Sequence, residues 1–371
     1  MKIQISDNLI KHYLQNVYFI NGHSYAGKST MVKMLAERYD MIHCGENYHD
    51  VFPNEKLSRW KQPGLSYFDT MSGWQEWLNR TPEEYEHWFD GNCREITDFE
   101  IAELIRLSAE KKVIVDTCIP LDILKRITEP NQVAVMLSPK AMSVDYFFER
   151  EDEEKQFLLS QIKLAEDPEK TMQNFRNCIA LLNSKERYDA MKNSGYFTLI
   201  REDVLRDTRQ DVFAQLALHF GLASVEVMKL TPGTDRWEET ITYAENSTWE
   251  GVGKHLADSM RKNAFAPWEA VFICLVDGKI AGYCTFLEYD YYPENRYSPW
   301  ISTIFVEERY RGHRLSHRMI EAVIDYAREQ HFEKVYIPSD MTGFYEKCGF
   351  ERIDTLTKYG GDIDNVFMRC I

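Results

Sequence analysis

The chain has 371 residues, 44% hydrophobic and 13% aromatic. At roughly 150 residues per domain this suggests about two cores and excludes a disordered chain. The 59 acidic residues against 44 basic ones give a net charge of −15, which sets bulk electrostatics against nucleic acid and anionic membranes and favours cationic or amine-bearing partners.

No run approaches the ~20 apolar residues of a membrane-spanning helix. The opening MKIQISDNLIKHY lacks the apolar core of a signal peptide, so a cytoplasmic protein is expected. Eight dispersed cysteines without a C-x-x-C pair read as reduced thiols rather than zinc ligands.

In chain order, NLIKHYLQ (8–15) has the spacing of a short amphipathic helix, and VYFING (17–22) that of a buried strand running into a glycine. A helix is expected at about 29–39 and a second strand near 41–44. A polar, aromatic insert at about 50–110 holds Trp60, Trp74, Trp77 and Trp88. Its length argues for a mainly helical lid or substrate-binding insert, with the tryptophans packing in it. The short apolar runs VIVDT (113–117), VAVML (133–137) and YFTLI (196–200), separated by helical patterning, give the β/α alternation of a parallel sheet covered by helices.

DVFAQLALHFGL closes this half at Gly221, so domains 1–222 and 223–371 are expected. The second half reads as mixed α+β: a helical region, then AVFICLV, a turn at Asp277-Gly278, IAGYCTFLEYDYY and WISTIFVEE. No internal repeat relates the halves.

The segment Gly22-His23-Ser24-Tyr25-Ala26-Gly27-Lys28-Ser29, followed by Thr30, fits G-x-x-x-x-G-K-[ST] between a strand and a helix. Glycines there let successive N–H groups and a helix N-terminus converge on phosphate. Lys28 would reach the terminal phosphates, and Ser29 would help to hold Mg²⁺. Asp116, ending VIVDT, is a candidate for water-mediated Mg²⁺ coordination.

Over about 15–221 the chain resembles the small-molecule kinase branch of the P-loop NTPases. The resemblance implies an ATP- or GTP-dependent kinase-like phosphotransferase acting on a small-molecule phosphate acceptor. It makes Glu46 and Asp50, after the second strand, candidates for orienting that acceptor or taking its proton, and offers Arg150 as a lid arginine.

The second half resembles the GNAT N-acetyltransferase family over about 225–371, through IAGYCTF, STIFVEERYRGHRLSHRMIEAVIDYA and VYIPSDMTGFYEKCGF taken in order. The resemblance implies acetyl-CoA as donor and a small-molecule amine as acceptor. It also implies a splayed strand ending at Ile304-Phe305-Val306 that leaves backbone groups for the pantetheine arm. The loop Arg311-Gly312-His313-Arg314-Leu315-Ser316 would open a helix on the pyrophosphate.

The helix stands on its own periodicity: Leu315, Met319, Ile320, Val323 and Tyr326 share a face. The family writes this loop [QR]-x-x-G-x-[GA], and here Arg314 and Ser316 replace both small residues. Arg314 would either add charge to the phosphates or obstruct the loop. Tyr345 matches the family tyrosine that protonates the departing thiolate. Period-two spacing places Glu288 and Asp290 on one strand face as candidate general bases, with Asp340 a third.

The sequence therefore reads as a bifunctional small-molecule enzyme of α/β class, with an N-terminal P-loop parallel sheet and a C-terminal GNAT mixed domain. Two alternatives stand beside it. In one, the P-loop domain is a non-catalytic nucleotide sensor regulating acetyl transfer; in the other, the second half is a binding module.

Overall fold

A computed structural model describes residues 5–46, 60–139, 144, 147–149, 153–201, 206–294 and 296–371. The chain divides into two compact units, Met1–Leu222 and Ala223–Ile371. Among the described residues no helix is long and apolar enough to cross a membrane.

The first unit runs α1 (Asp7–Tyr13), β1 (Val17–Gly22), α2 (Lys28–Tyr39), β2 (Ile42–Cys44), α3 (Trp74–Leu78), α4 (Pro82–Ser108), β3 (Val113–Asp116), α5 (Leu121–Ile127) and β4 (Val133–Leu137). It continues with α6 (Glu153–Lys163), α7 (Pro168–Leu182), α8 (Lys185–Lys192), β5 (Phe197–Ile200) and α9 (Arg209–His219). The five strands form a wholly parallel sheet in the order β2-β3-β1-β4-β5. β1, β3 and β4 are near-continuous apolar runs because both faces are covered, as a parallel sheet requires. Val17 and Phe19 enter a core with Leu104, Leu124 and Ile127, whereas Tyr18 meets Phe220 edge-on at 5.4 Å.

The insert is helical. Pro82 occupies the first turn of α4, and Thr81 with Glu84 closes a capping box that starts this 27-residue helix sharply. Trp77, Tyr85 and Phe175 form a core with Trp74 and Trp88 against it. Trp60 differs from the packing expected of it, being 96% exposed.

The second unit runs β6 (Val225–Lys229), α10 (Asp235–Glu245), α11 (Glu250–Arg261), β7 (Ala270–Val276), β8 (Lys279–Leu287), β9 (Trp300–Val306), α12 (Leu315–Glu329), β10 (Lys334–Ser339), β11 (Glu351–Thr357) and β12 (Ile363–Cys370). Its sheet order is β11-β12-β10-β9-β8-β7-β6. Neighbours are antiparallel except β9 and β10, which are parallel and register at a single pair, Trp300 opposite Tyr336. Alternation along β7 divides the core: Val271 and Ile273 pack with Trp237, Ile241 and Leu256 of α10 and α11, while Phe272 meets Tyr326 of α12 at 5.7 Å.

Candidate functional site

In the first unit the chain leaves the carboxyl end of β1 and turns into α2, the end of a parallel sheet at which ligands bind. Gly22 (φ 131°), Tyr25 (φ 64°) and Gly27 (φ 91°) bend the backbone through the left-handed region. A Cβ at Gly22 would lie 1.9 Å from the Met136 carbonyl oxygen, so only glycine fits.

Three side-chain donors, one from the turn itself and two from outside it, hold its consecutive carbonyls. Lys28 Nζ donates to His23 O at 3.2 Å, Ser138 Oγ to Ser24 O at 2.7 Å and Arg201 Nη1 to Tyr25 O at 2.6 Å. His23 is buried with its ring 5.5 Å from that of Tyr188. Burial, and then the Lys28 charge, push its pKa down to about 4, so the imidazole is neutral at pH 7.

Ser29 Oγ donates to Asp116 Oδ2 at 2.8 Å, and Lys28 Nζ lies 3.6 Å from Asp116 Oδ1. The sequence-expected trio of Lys28, Ser29 and Asp116 is thus brought together from α2 and the end of β3. Burial raises the Asp116 pKa, and Lys28 and Ser29 work against that rise. Glu46 is exposed, yet its charge acts on Asp116. Asp50 and Arg150 lie outside the described residues.

Glu100, which sequence reasoning missed, is fully buried on α4 and accepts a hydrogen bond from Thr117 Oγ1 at 2.7 Å. Its pKa is pushed up to about 7, first by burial, and the nearby Asp116 charge adds to the rise. A carboxylate between Ile96 and Leu104 at helical spacing was the available signal.

The donor set fits a magnesium nucleotide: a left-handed turn opening a helix, an ammonium, a hydroxyl and one carboxylate. Among the described residues no group of three or more His, Cys, Asp or Glu side chains could hold a metal. Mg²⁺ characteristically makes do with one or two protein ligands and completes its shell with phosphate oxygens and water.

In the second unit, β9 diverges from β10 beyond the Trp300–Tyr336 pair. Between the Tyr283–Phe305 and Thr285–Ser302 pairs, β9 carries one residue more than β8, a bulge at which Thr303 takes φ 47°. Ile304, Phe305 and Val306 follow the bulge. Gly282 makes room for them, because a Cβ there would sit 2.3 Å from Phe305 O.

After β9, Arg311 Nε donates to Val306 O at 2.9 Å. Gly312 has φ 84°, and Arg314 takes φ 59°, ψ 24° as N-cap of α12, so the loop turns in the left-handed region despite the arginine. Burial lowers the pKa of His313. Leu315 is buried as the first residue of the helix, and Ser316 is half-buried.

Tyr345 lies between β10 and β11, buried, its ring 5.4 Å from that of Phe367. Burial raises its pKa to about 12; a hydrogen bond with Ser339 opposes the rise, and Asp340 and Asp364 add to it.

The expectation for Glu288 and Asp290 needs correction. β8 ends at Leu287, so period two does not govern them. The Glu288 N–H donates to Glu269 at 2.7 Å, whereas Asp290 accepts from the Ser302 hydroxyl on β9. Burial raises the Asp290 pKa, and the carboxylate facing it is Asp364, held by the Tyr292 hydroxyl and by Lys358 Nζ at 3.0 Å. Asp340 is exposed. Asp364, Tyr292 and Lys358 were not singled out in the sequence.

The second unit is thus a mixed sheet in which β9 and β10 register at one pair only, beside a bulge in β9. Residues 235–350 match the family model described as Acetyltransferase (GNAT) family, so this segment is a GNAT acetyltransferase domain. No curated protein sequence matches the chain.

Among solved structures, the chain is similar to an aminoglycoside 6'-acetyltransferase type Ii. The identity is 14%, covering 39% of this chain and 96% of that one, with a TM-score of 0.33. It is also similar to an aminoglycoside 6'-N-acetyltransferase from Enterococcus faecium (12%, 39% and 96%, 0.32). A GNAT family acetyltransferase from Elizabethkingia anophelis with acetyl-CoA bound gives 16%, 40% and 98%, and 0.28.

Proposed function

We propose that the second unit transfers acetyl from acetyl-CoA to a small-molecule amine, and that the first unit is a magnesium-nucleotide-dependent phosphotransferase. The observation that carries the first half is the parting of β9 from β10 within the segment that matches the acetyltransferase family. Acetyl-CoA, as donor substrate, brings an acetyl group already activated as a thioester. Ile304–Val306, after the bulge on β9, would line the pantetheine arm, and the turn 311–316 with α12 would offer N–H groups and arginines to phosphate.

Asp290 would take the proton of the acceptor ammonium: it is bound to Ser302 on β9, and burial raises its pKa toward that of a useful base. Tyr345 stays protonated up to nearly pH 12 and is suited to give its proton to the leaving sulfur. Calorimetric titration with acetyl-CoA tests this reading; saturable binding supports it and no binding ends it.

For the first unit, the Ser29–Asp116 hydrogen bond with Lys28 beside it supports nucleotide binding. Lys28 would neutralise the terminal phosphates, Ser29 and Asp116 would hold Mg²⁺, and Glu46, whose charge acts on Asp116, would orient an acceptor hydroxyl. The nucleotide supplies the transferable phosphoryl group. Mg·ATP and Mg·GTP titrations of the wild type and Lys28→Ala test it: binding lost in the variant is expected, and equal binding would refute the assignment. Acceptor-dependent ADP or GDP release then marks a kinase, whereas a nucleotide-induced shift in acetyl transfer alone marks a sensor.

A further inference from the structure

On the acetyltransferase reading, one amine of the chain itself lies among the carboxylates assigned to the acceptor. The gap between β9 and β10 is flanked on the β9 side by Ser302 with Asp290 bound to it. On the other side, β12 sets Asn365 opposite Ser339 and so brings Asp364 beside the end of β10. Tyr345 is hydrogen-bonded to Ser339 and feels the Asp364 charge.

Lys358 enters from the β11–β12 hairpin. Its backbone is fixed there by Lys358 N–H donating to Asp362 O at 2.8 Å and Gly361 N–H donating to Lys358 O at 2.9 Å. Its Nζ is 3.0 Å from Asp364 Oδ2, with the lysine side chain 34% exposed and the aspartate 6%. The same ammonium acts electrostatically on Asp290. Lys358 is thus a cation paired to one carboxylate and acting on a second, the pairing an acceptor ammonium would make on this reading.

We propose that Lys358 is a self-acetylation site: with no small-molecule amine present, the chain acetylates its own Nζ from bound acetyl-CoA. The lysine ammonium gives one proton to the Asp290 carboxylate, and the freed lone pair forms the N–C bond to the thioester carbonyl carbon. The C–S bond breaks with its electron pair on sulfur, which takes the Tyr345 phenolic proton. The second nitrogen proton restores the phenol. Ammonium and thioester become amide and thiol, with one proton left on Asp290. The product has lost the positive charge that compensated Asp364, so the modified site offers an incoming ammonium a carboxylate no longer shared with Lys358.

The test incubates the full-length protein with acetyl-CoA and no added amine. Sites of acetylation are mapped by peptide mass spectrometry, and acetyl-CoA binding is measured in parallel by calorimetry. One acetyl per chain on Lys358 is expected. It should be absent in Lys358→Arg, which keeps a cation on Asp364 but offers no nucleophilic amine, and slowed at least about tenfold in Tyr345→Phe. Acetyl-CoA binding without acetyl on Lys358 overturns the proposal and leaves the acetyltransferase reading standing. Labelling scattered over exposed lysines and equally fast in Tyr345→Phe overturns it as well, and failure to bind acetyl-CoA removes both.

Discussion

Gly22→Ala puts the geometry of the turn after β1 to its hardest test. The added methyl would sit 1.9 Å from the Met136 carbonyl oxygen, 2.7 Å from its carbon and 2.8 Å from its nitrogen, all backbone atoms of the neighbouring strand β4. No rotamer relieves such a contact, so β1 and β4 must separate locally. Holding alanine at φ 131° costs about 1–3 kcal/mol. Separation also endangers the His23 N–H to Met136 O hydrogen bond of 3.0 Å, worth about 1 kcal/mol. The sum, about 3 kcal/mol, is a large part of the roughly 5–15 kcal/mol that holds a domain together.

A chain of two units does not unfold in one two-state step, so the measurement should be local. Amide hydrogen exchange on peptides covering β1 and β4 is suitable, and about 3 kcal/mol corresponds to roughly a hundredfold loss of protection where exchange follows opening. Gly91→Ala is the control. It lies inside α4 with no atom within 4 Å of the new methyl, and should gain about 0.5–1 kcal/mol. Unchanged β1 and β4 protection in Gly22→Ala would refute the steric argument.

Arg314→Gly relieves a left-handed conformation costing about 1–2 kcal/mol, against a loss of about 0.5–1 kcal/mol from glycine entropy. A slightly higher Tm is expected together with weaker acetyl-CoA affinity, and unchanged affinity would show that the guanidinium does not hold phosphate. His23 has a folded-state pKa of about 4 against 6.5 unfolded, so its stabilising effect is complete above pH 6.5 and is lost as the pH falls toward 4. His23→Gln should remove up to about 3 kcal/mol of acid sensitivity in that window, seen in urea titrations at stepped pH.

Glu100 has the opposite sign: raised to about 7 from 4.5, it favours folding at low pH and loses that effect as the pH rises through 7. Glu100→Gln should be the more stable protein above pH 7, by about 3 kcal/mol at most, and a destabilised variant at pH 8 would contradict the burial argument. Tyr345→Phe keeps the ring on Phe367 and should lower kcat for acetyl transfer about 10²–10⁴-fold with little change in acetyl-CoA affinity.

What the sequence disclosed was local. The turn from Gly22 to Ser29 was legible because strand, glycines, lysine and helix are contiguous, and the buried runs of β1, β3 and β4 announced a parallel sheet. Asp116 could be named because it ends such a run, although its contact with Ser29 spans 87 positions. Glu100, Asp364, Tyr292 and Lys358 were hidden for the converse reason. Each is an ordinary polar residue in its own segment, and only pairing of β12 with β10 and packing of α4 near the end of β3 bring them to the sites.

The alternation argument failed at Glu288 and Asp290 because it assumed that the strand continued past Leu287. The bulge at Thr303 carried no glycine to mark it. Arg314 shows a third kind of gap: the sequence suggested a possible obstruction, and the backbone took the glycine-like conformation regardless.

The parting of β9 and β10 makes the second unit's sheet two panels, β11-β12-β10 and β9-β8-β7-β6, meeting at a single registered pair. The rings of Trp300 and Tyr336 sit 5.9 Å apart at that meeting point, like the spring of a clothes-peg. Beyond that pair no residue of one panel registers with the other among the described residues, an edge in the middle of a sheet rather than at its margin. Any slender molecule with amides spaced along an extended arm can serve as the missing strand. The same edge is a hazard while it stands open, since an extended peptide satisfies it equally well. The domain should accordingly be least prone to self-association when the slot is filled, and its donor would then act as a folding partner as well as a reactant.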